Sequence, residues 1–184
     1  NVDIIYIATP HAFHMENTLL CLKQGKAVLC EKPLAMNLRQ VQAMVQAARE
    51  NSSFLMEALW SRFLPNIVKA KEVLNSGKIG RATHLVADFG FKADFDPKSL
   101  LFSPNLGGGA LLDIGIYPLF FALYLLGQPT EVESQAELAE TGVDESCHVK
   151  LTFAAGVTAD LKFTLNEFTP VEARLYGEKG EIML

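Results

Sequence analysis

The stretch Ala27–Pro33 reads AVLCEKP and decides the fold class of this chain. Its four apolar residues fit a buried strand of a parallel sheet, because such strands are covered on both faces. Glu31, Lys32 and Pro33 follow at the carboxyl end of that strand, which is where open α/β sheets bind ligands. Pro33 restricts Lys32 to extended geometry and can hold the preceding peptide bond in the cis form. Most lysines on turns are simply solvated, but a lysine aimed in this way is a candidate catalytic or cofactor-binding group.

A strand, helix, strand order surrounds this stretch. The β-branched and aromatic residues of Val2–Ala8 predict a buried strand, and the apolar spacing of Phe13–Gln24 predicts a helix that ends at Gly25 in the left-handed cap position. This order implies a βαβ unit with parallel strands and a right-handed crossover. His11 and His14 follow the first strand. They are a weak metal pair because no third ligand lies nearby at ligand spacing, so a contact with substrate or cofactor is favoured.

Two further helices and a strand follow in the first half of the chain. Asn37 is predicted to cap a helix over Leu38–Glu50, and a second helix is predicted over Pro65–Asn75 because proline suits the first helical position. Between these helices, Ser53–Ala58 is predicted to form a third strand that ends at the same edge as Lys32. Trp60, the only tryptophan, follows it, and a core role and a pocket role are equally compatible with its size.

The second half of the chain is predicted to be an antiparallel sheet. Strand signals follow one another with no long helix between the last four of them, and glycine-containing turns link several of them. The predicted strands cover residues 83–91, 132–138, 146–153, 157–165 and 171–176. An open sheet with helices on one face must cover the other face, and a partner subunit is the usual means. We therefore expect a homodimer or a higher homo-oligomer.

One long helix interrupts these strands and carries a second group of polar residues. Gly107–Gly127 reads GGGALLDIGIYPLFFALYLLG, and its three leading glycines indicate close backbone approach to a ligand or to a neighbouring element. Asp113 and Tyr117 are four residues apart and therefore share one face of the predicted helix. Pro118 is expected to kink it. Taken alone, this pattern fits a core helix with a paired aspartate and a packed tyrosine at least as well as an active site.

The composition excludes several classes of function. The net charge of −5 and the pI near 5.4 argue against a nucleic-acid partner. Three widely spaced cysteines without a CxxC pattern indicate reduced thiols and neither a disulfide framework nor a zinc site. The longest apolar run, Ile114–Leu126, is shorter than the about 20 residues of a membrane span and is interrupted by Gly115 and Pro118. We expect a cytoplasmic protein with no membrane partner.

The two ends of the chain both lie in strand-like sequence. It opens on Asn1 and enters an apolar strand at once, and it stops at Leu184 within another apolar run. Domain termini usually lie in surface segments. We therefore expect the chain to be an interior piece of a longer protein.

Taken together, the two motifs resemble a known family. EKP after a parallel strand, followed by GGGxxxDxGxY at a helix entry, is similar to the glucose-fructose oxidoreductase and inositol dehydrogenase (Gfo/Idh/MocA-type) family of nicotinamide-dependent oxidoreductases. Within that family, MEALWSRFLP followed by GGGALLDIGIY most resembles the dihydrodiol dehydrogenase and D-xylose dehydrogenase branch. Family members begin with about 60 more residues that hold a GxGxxG phosphate loop. This chain contains no GxGxxG, so the piece as given is expected to be inactive.

The resemblance implies a fold and a domain division. It implies the C-terminal half of a Rossmann-type parallel sheet, followed by a largely antiparallel sheet domain with a long helix packed on one face. Residues 1–62 would be the second half of the dinucleotide-binding domain. Residues 63–184 would be a truncated α+β domain for substrate binding and dimerisation.

The resemblance also implies roles for individual residues. Lys32, Tyr117 and Asp113 take the catalytic positions: the lysine contacts the reacting hydroxyl and the nicotinamide ribose, the tyrosine is the acid/base, and the aspartate orients the substrate or the lysine. Trp60 and Phe91 form the apolar wall of the substrate pocket, which Asp113 and Tyr117 also line. The residues implied to line the cofactor, NADP or NAD, are Thr9, Pro10, His14, Glu31, Lys32 and Pro33. No metal is implied.

These roles are chemically consistent. A tyrosine with an ordinary pKa near 10 is a poor base at neutral pH, and a nearby ammonium favours its ionised form. We therefore predict that Tyr117 removes a hydroxyl proton while Lys32 stabilises the developing oxyanion, in an oxidation of a secondary alcohol of a cyclic diol or a sugar. Two alternatives stay open: another sugar or inositol dehydrogenase of the same family, and a non-catalytic sugar-binding or dimerisation module.

Overall fold

The computed structural model describes residues 2–184, and its first region is a parallel sheet with helices. Strands β1 (Ile4–Ile7), β2 (Ala27–Cys30) and β3 (Leu55–Glu57) lie side by side in that order, and both pairings are parallel. Helix α1 (His14–Lys23) joins the first two strands, and α2 (Leu38–Glu50) joins the last two. The predicted βαβ order is therefore confirmed, and β1, β2 and β3 all end at one edge.

Local sequence signals set the helix ends in this region. The Asn37 side chain accepts a hydrogen bond from the Gln40 N–H, as expected of a cap at the start of α2. Gly25 adopts φ +67° after α1, which is the left-handed conformation that glycine favours. Helix α3 (Pro65–Asn75) begins at its proline, as predicted.

The second region is a six-stranded sheet with one long helical segment. Its strands are β4 (Ala82–Gly90), β5 (Glu131–Leu138), β6 (Asp144–Thr152), β7 (Thr158–Thr164), β8 (Ala173–Gly177) and β9 (Gly180–Met183). Their order across the sheet is β5-β6-β7-β4-β8-β9. Helix α4 (Ile116–Leu126) lies between β4 and β5 in the chain and packs on one face of the sheet, where Phe121, Ala122 and Leu125 are buried.

One strand pair differs from the predicted antiparallel arrangement. β4 and β7 pair in parallel, with Leu85 opposite Ala159 and Phe89 opposite Phe163, while every other described pair in this sheet is antiparallel. Parallel neighbours require a crossover connection, and here the chain from β4 crosses through α4 before it returns by way of β5 and β6. The sheet is therefore mixed.

The long helix is also shorter than predicted from Gly107–Gly127. The glycines precede the helical turns: a five-residue π-helical segment covers Leu111–Gly115, and the regular helix follows it. Gly107 has φ +83°, and a Cβ atom on it would lie 2.5 Å from Met36 Sδ. The close approach is therefore to a neighbouring element of the same chain, and the glycine supplies the space for it.

The apolar character of this helical segment comes from its position in the core. By length and composition alone, Pro104–Leu126 is long and apolar enough to cross a membrane, with a mean hydropathy of 1.8 in its most apolar window. In the fold, Ala110 and Ile114 are buried in the same cluster as Leu85, Leu161 and Phe163 from the sheet. A core helix of this kind is apolar because it packs against the sheet.

The cysteines are free thiols, in agreement with the sequence analysis. Cys30 and Cys147 are buried, and Cys21 is partly exposed. Burial raises the pKa of the Cys30 thiol to about 11, so this thiol is protonated at neutral pH.

Candidate active site

The Lys32 ammonium meets the helical segment of the second region. Lys32 Nζ lies 2.8 Å from Asp113 Oδ1 and 2.6 Å from the backbone oxygen of the same residue. The side chains are 15% and 20% exposed, so this ion pair is largely shielded from solvent. The contact joins the end of β2 to the π-helical segment and brings together two predicted catalytic residues that are 81 positions apart.

Tyr117 lies beside this ion pair. Lys32 Nζ is 5.3 Å from the centroid of the Tyr117 ring, and the Trp60 Nε1–H donates to the tyrosine hydroxyl at 3.2 Å. The three predicted catalytic side chains and Trp60 therefore converge on one place between the two regions. Because Trp60 is 56% exposed, the structure favours the pocket role over the core role for this tryptophan.

A phenylalanine near the predicted Phe91 contacts the tyrosine. The centroids of the Phe89 and Tyr117 rings are 5.5 Å apart. Phe89 and Phe91 are both partly buried against the core of the second region. Phe89 precedes Gly90 and Phe91 follows it. The two phenylalanines therefore point to the same face, because alternate residues of a strand share a face. Sequence reasoning missed Phe89, although this two-residue spacing was a signal that could have found it.

His14 is not available for the predicted cofactor contact. Its side chain is 0% exposed, and its two ring nitrogens lie 2.8 Å from the backbone oxygens of Pro33 and Thr9. The ring therefore links the loop after β1 to the turn after β2 from the interior. His14 is buried because it is the first residue of α1, and there its side chain lies between the two loops.

His11 makes a similar link to the second region. Its Nδ1 lies 2.9 Å from the Gly107 backbone oxygen, and burial lowers the pKa of the imidazole. A neutral imidazole protonated on Nδ1 donates to that carbonyl, so His11 supports the glycine-rich entry of the helical segment.

The remaining predicted cofactor residues lie at the carboxyl edge of the first sheet. Glu31 accepts a hydrogen bond from the Tyr6 hydroxyl, and this contact raises the pKa of Tyr6. Its other carboxylate oxygen accepts the Lys32 backbone N–H at 3.2 Å. Thr9 is exposed and Pro10 is partly exposed, while the Lys32–Pro33 peptide bond is cis.

Glu57 is a site-edge residue to which the sequence analysis gave no role. It is the last residue of β3, and its Oε1 accepts the Leu34 backbone N–H at 2.8 Å. Burial is the largest influence on this carboxyl group and raises its pKa. An acid at the end of a short apolar strand was the signal, since Lys32 follows the end of the neighbouring strand.

This edge suits one end of a dinucleotide cofactor. A nicotinamide ring needs a partly apolar surface beside a polar group, and the exposed Thr9, Pro10 and the Lys32 ammonium supply both where the strands end. A dinucleotide also needs a cradle of backbone N–H groups for its phosphates. The printed sequence has no GxGxxG to form that cradle, so these residues fit the nicotinamide end alone.

The fold and the site define a Rossmann-type α/β protein joined to a mixed sheet, with a lysine at their junction. Sequence comparison assigns the family: the chain belongs to the GFO/IDH/MocA family of oxidoreductases. The model of the GFO/IDH/MocA C-terminal domain matches residues 67–183. The model of the oxidoreductase family with an NAD-binding Rossmann fold matches residues 1–59.

Individual relatives agree with this assignment. The chain is 41% identical over 182 residues to mouse (Mus musculus) trans-1,2-dihydrobenzene-1,2-diol dehydrogenase, covering 98% of this chain and 54% of that protein. It is 35% identical over 207 residues to D-xylose 1-dehydrogenase (NADP(+)) of Hypocrea jecorina, covering 100% of this chain and 53% of that protein. The crystal structure of aldose-aldose oxidoreductase from Caulobacter crescentus complexed with glycerol superposes with a TM-score of 0.92 at 32% identity, covering 99% of this chain and 56% of that one. The chain thus spans about half the length of these relatives.

Proposed function

We propose that the whole protein is an NAD(P)-dependent oxidoreductase that transfers a hydride between the cofactor and a secondary alcohol of a cyclic diol or a sugar. The observation that carries this proposal is the convergence of Lys32, Asp113 and Tyr117 at the carboxyl edge of a parallel sheet. Family membership and the relatives named above support the same class of reaction. The nicotinamide, when bound, supplies the redox chemistry.

The side chains divide the proton chemistry between them. Tyr117 takes the hydroxyl proton of the alcohol, because it is a phenol placed beside the Lys32 ammonium, which contacts the same substrate oxygen. The Trp60 N–H donates to the phenol oxygen and orients it. Lys32 stabilises negative charge that develops on the alcohol oxygen, and Asp113 holds the ammonium in place.

The substrate is tested by steady-state assays of the whole protein. Initial rates are measured with a trans-dihydrodiol, D-xylose and D-glucose, each with NADP and with NAD. We expect turnover with at least one of these alcohols. The ratio of kcat/KM values assigns the diol or the pyranose as the preferred class. Absence of turnover with every alcohol and both cofactors contradicts the proposal.

A second candidate function is a non-catalytic sugar-binding or dimerisation module, which the missing phosphate loop favours for these 184 residues taken alone. Isothermal titration of NADP into this chain tests it. We expect no binding or very weak binding, because the residues that cradle the pyrophosphate are absent from this sequence. Tight NADP binding to the chain alone would contradict that expectation and favour an intact cofactor site.

We further propose that the whole protein, expected to be cytoplasmic, is a homodimer or a higher homo-oligomer. The support is the open face of the second sheet, which is opposite the face covered by α4. There Glu133, Lys150 and Asp160 lie in register on adjacent strands and alternate in charge. A shallow cavity of about 730 Å³ on this face is lined mainly by polar residues. Light scattering behind size exclusion measures the oligomeric state, and a monomer at assay concentrations contradicts this proposal.

A further inference from the structure

Two side chains from different elements hold a single peptide group next to the site. The carbonyl oxygen of Pro33 lies 2.8 Å from His14 Nδ1, and the N–H of Leu34 donates to Glu57 Oε1 at 2.8 Å. These two groups belong to the same peptide, which connects Pro33 to Leu34. His14 is the first residue of α1, and Glu57 is the last residue of β3. Elements on both sides of β2 therefore fix this peptide in place.

The Pro33–Leu34 peptide, called here the clamped peptide, is separated from Lys32 only by Pro33. Pro33 is buried, and its ring fixes its own φ, so little rotational freedom separates the clamped peptide from the Lys32 backbone. The Lys32 ammonium then contacts Asp113 and lies over the Tyr117 ring. The position of the clamped peptide therefore sets the point from which the Lys32 side chain extends toward both of these residues.

Glu57 is chemically unusual at this position. It lines a mostly apolar groove with Pro33, Leu59 and residues of the helical segment, and burial there disfavours its charged form. The Glu57 side chain accepts a hydrogen bond from the Leu34 N–H. A hydrophobic residue would avoid the free-energy cost of desolvating a carboxyl group in such a groove. We infer that the carboxyl group offsets this cost by accepting the Leu34 N–H.

We propose that Glu57 is a positioning residue that acts on Lys32 through the Pro33–Leu34 peptide. It does not touch the reacting atoms. It fixes the turn from which the ammonium reaches the alcohol oxygen, and it does so together with His14 on the opposite side of the peptide. This inference rests on the proposed oxidoreductase function, because it concerns the placement of Lys32 in that reaction.

Three substitutions in the whole protein test the role. E57Q keeps an oxygen acceptor at the same length, E57D withdraws the carboxyl group by one methylene, and E57M removes the acceptor at similar size. We expect E57D and E57M to lower kcat about 10-fold or more with KM for NADP nearly unchanged, because small misplacement of a catalytic group is costly. We expect E57Q to restore kcat to within about 3-fold of the unsubstituted protein, since the Leu34 N–H keeps its partner.

The controls separate this role from general stability and from the proposed function. E50M makes the same chemical change at an exposed glutamate of α2, and we expect it to leave kcat unchanged. Melting temperatures are measured for every variant, and E57D decides the question if E57M does not fold. Unchanged kcat in E57D, or an equal loss in E57Q and E57D, overturns the positioning role. K32M is assayed alongside. Retained turnover in K32M removes the catalytic role of Lys32 and with it the role of Glu57, and loss in K32M with normal E57D excludes only the role of Glu57. Absence of turnover in the unsubstituted protein contradicts the proposed function itself.

Discussion

Lys32 donates to Asp113 twice, at 2.6 Å to its backbone oxygen and at 2.8 Å to its carboxylate. The double contact fixes the ammonium against the start of the helical segment, one turn before Tyr117. A single flexible lysine on a turn samples many positions, and this arrangement removes that freedom before any substrate arrives. The geometry links the carboxyl edge of the first sheet to Tyr117, the proposed acid/base group, on the second region.

Substitution of Tyr117 by phenylalanine removes the proposed acid/base group. We expect Y117F to lower kcat by about 10²- to 10⁴-fold, the usual contribution of general acid–base catalysis. The affinity for NADP should stay nearly the same, because in the proposed mechanism the hydroxyl, which contacts Trp60, binds the substrate and not the cofactor. Steady-state rates and cofactor titration of the whole protein check both parts. Normal turnover in Y117F eliminates this role.

Substitution of Asp113 tests the anchoring of Lys32. D113N keeps an oxygen near the ammonium, whereas D113L leaves only the backbone oxygen as a partner. We expect D113L to lower kcat by about 10²-fold because the ammonium is no longer held in one position, and D113N to lie between D113L and the unsubstituted protein. The measurement is kcat at saturating cofactor. Equal activities for all three proteins contradict an anchoring role.

Substitution of Gly115 tests the packing of the helical segment on the sheet. Gly115 has an ordinary helical conformation, so alanine there should stabilise the helix by about 0.5–1 kcal/mol if space were available. A Cβ atom would instead lie 2.8 Å from the buried Phe163 ring. We expect G115A to reduce the free energy of unfolding by about 1–3 kcal/mol through overpacking. Urea unfolding gives the sign, and the G115A/F163L double variant should recover part of the loss.

The raised pKa of Asp144 predicts that the stability of the protein depends on pH. Its carboxylate accepts the Leu111 N–H at 2.6 Å, but burial is the larger influence and raises its pKa. The folded protein therefore holds this proton to a higher pH than the unfolded chain does. The contribution of Asp144 to the free energy of unfolding is greatest below the ordinary aspartate pKa of about 4 and falls as the pH rises through the raised value.

The comparison with D144N isolates this effect, because the amide does not titrate and keeps an acceptor for Leu111. We expect the unfolding free energy of the unsubstituted protein, relative to D144N, to decrease as the pH is raised from about 3.5 to 7. Urea unfolding at several pH values measures it. A difference that is constant, or that grows with pH, shows that the folded-state pKa is not raised.

Much of the first region was predictable because its signals are local. Asn37 before an apolar-periodic segment and a proline at the start of α3 gave both helix starts correctly. The strand Ala27–Cys30 has the predicted bounds, and its parallel pairing with β1 places Lys32 at the predicted edge of the sheet. In the second region, the strand positions were correct to within about two residues, in keeping with the usual reliability of element boundaries.

The predictions that were wrong concern features that local sequence does not set. The parallel pairing of β4 with β7, the late start of the helical segment after Gly107, and the buried position of His14 all depend on which element packs against which. Residue types do not encode these choices locally, because the same histidine or glycine fits a ligand loop and a packed interior equally well. The structure decided them through burial and close backbone approach.

The sequence by itself determined the secondary structure of the first region, the residue types at the strand ends and the resemblance to an oxidoreductase family. Local hydrogen bonding and apolar periodicity suffice for these features. Only the tertiary structure decided that Lys32 reaches Asp113 across 81 residues, that Phe89 contacts the tyrosine, and that Glu57 holds the turn beside Lys32. The first two contacts form only when the helical segment packs against the end of β2 and against β4, and the third forms only when β3 pairs beside β2. The local sequence around each residue therefore does not specify its partner.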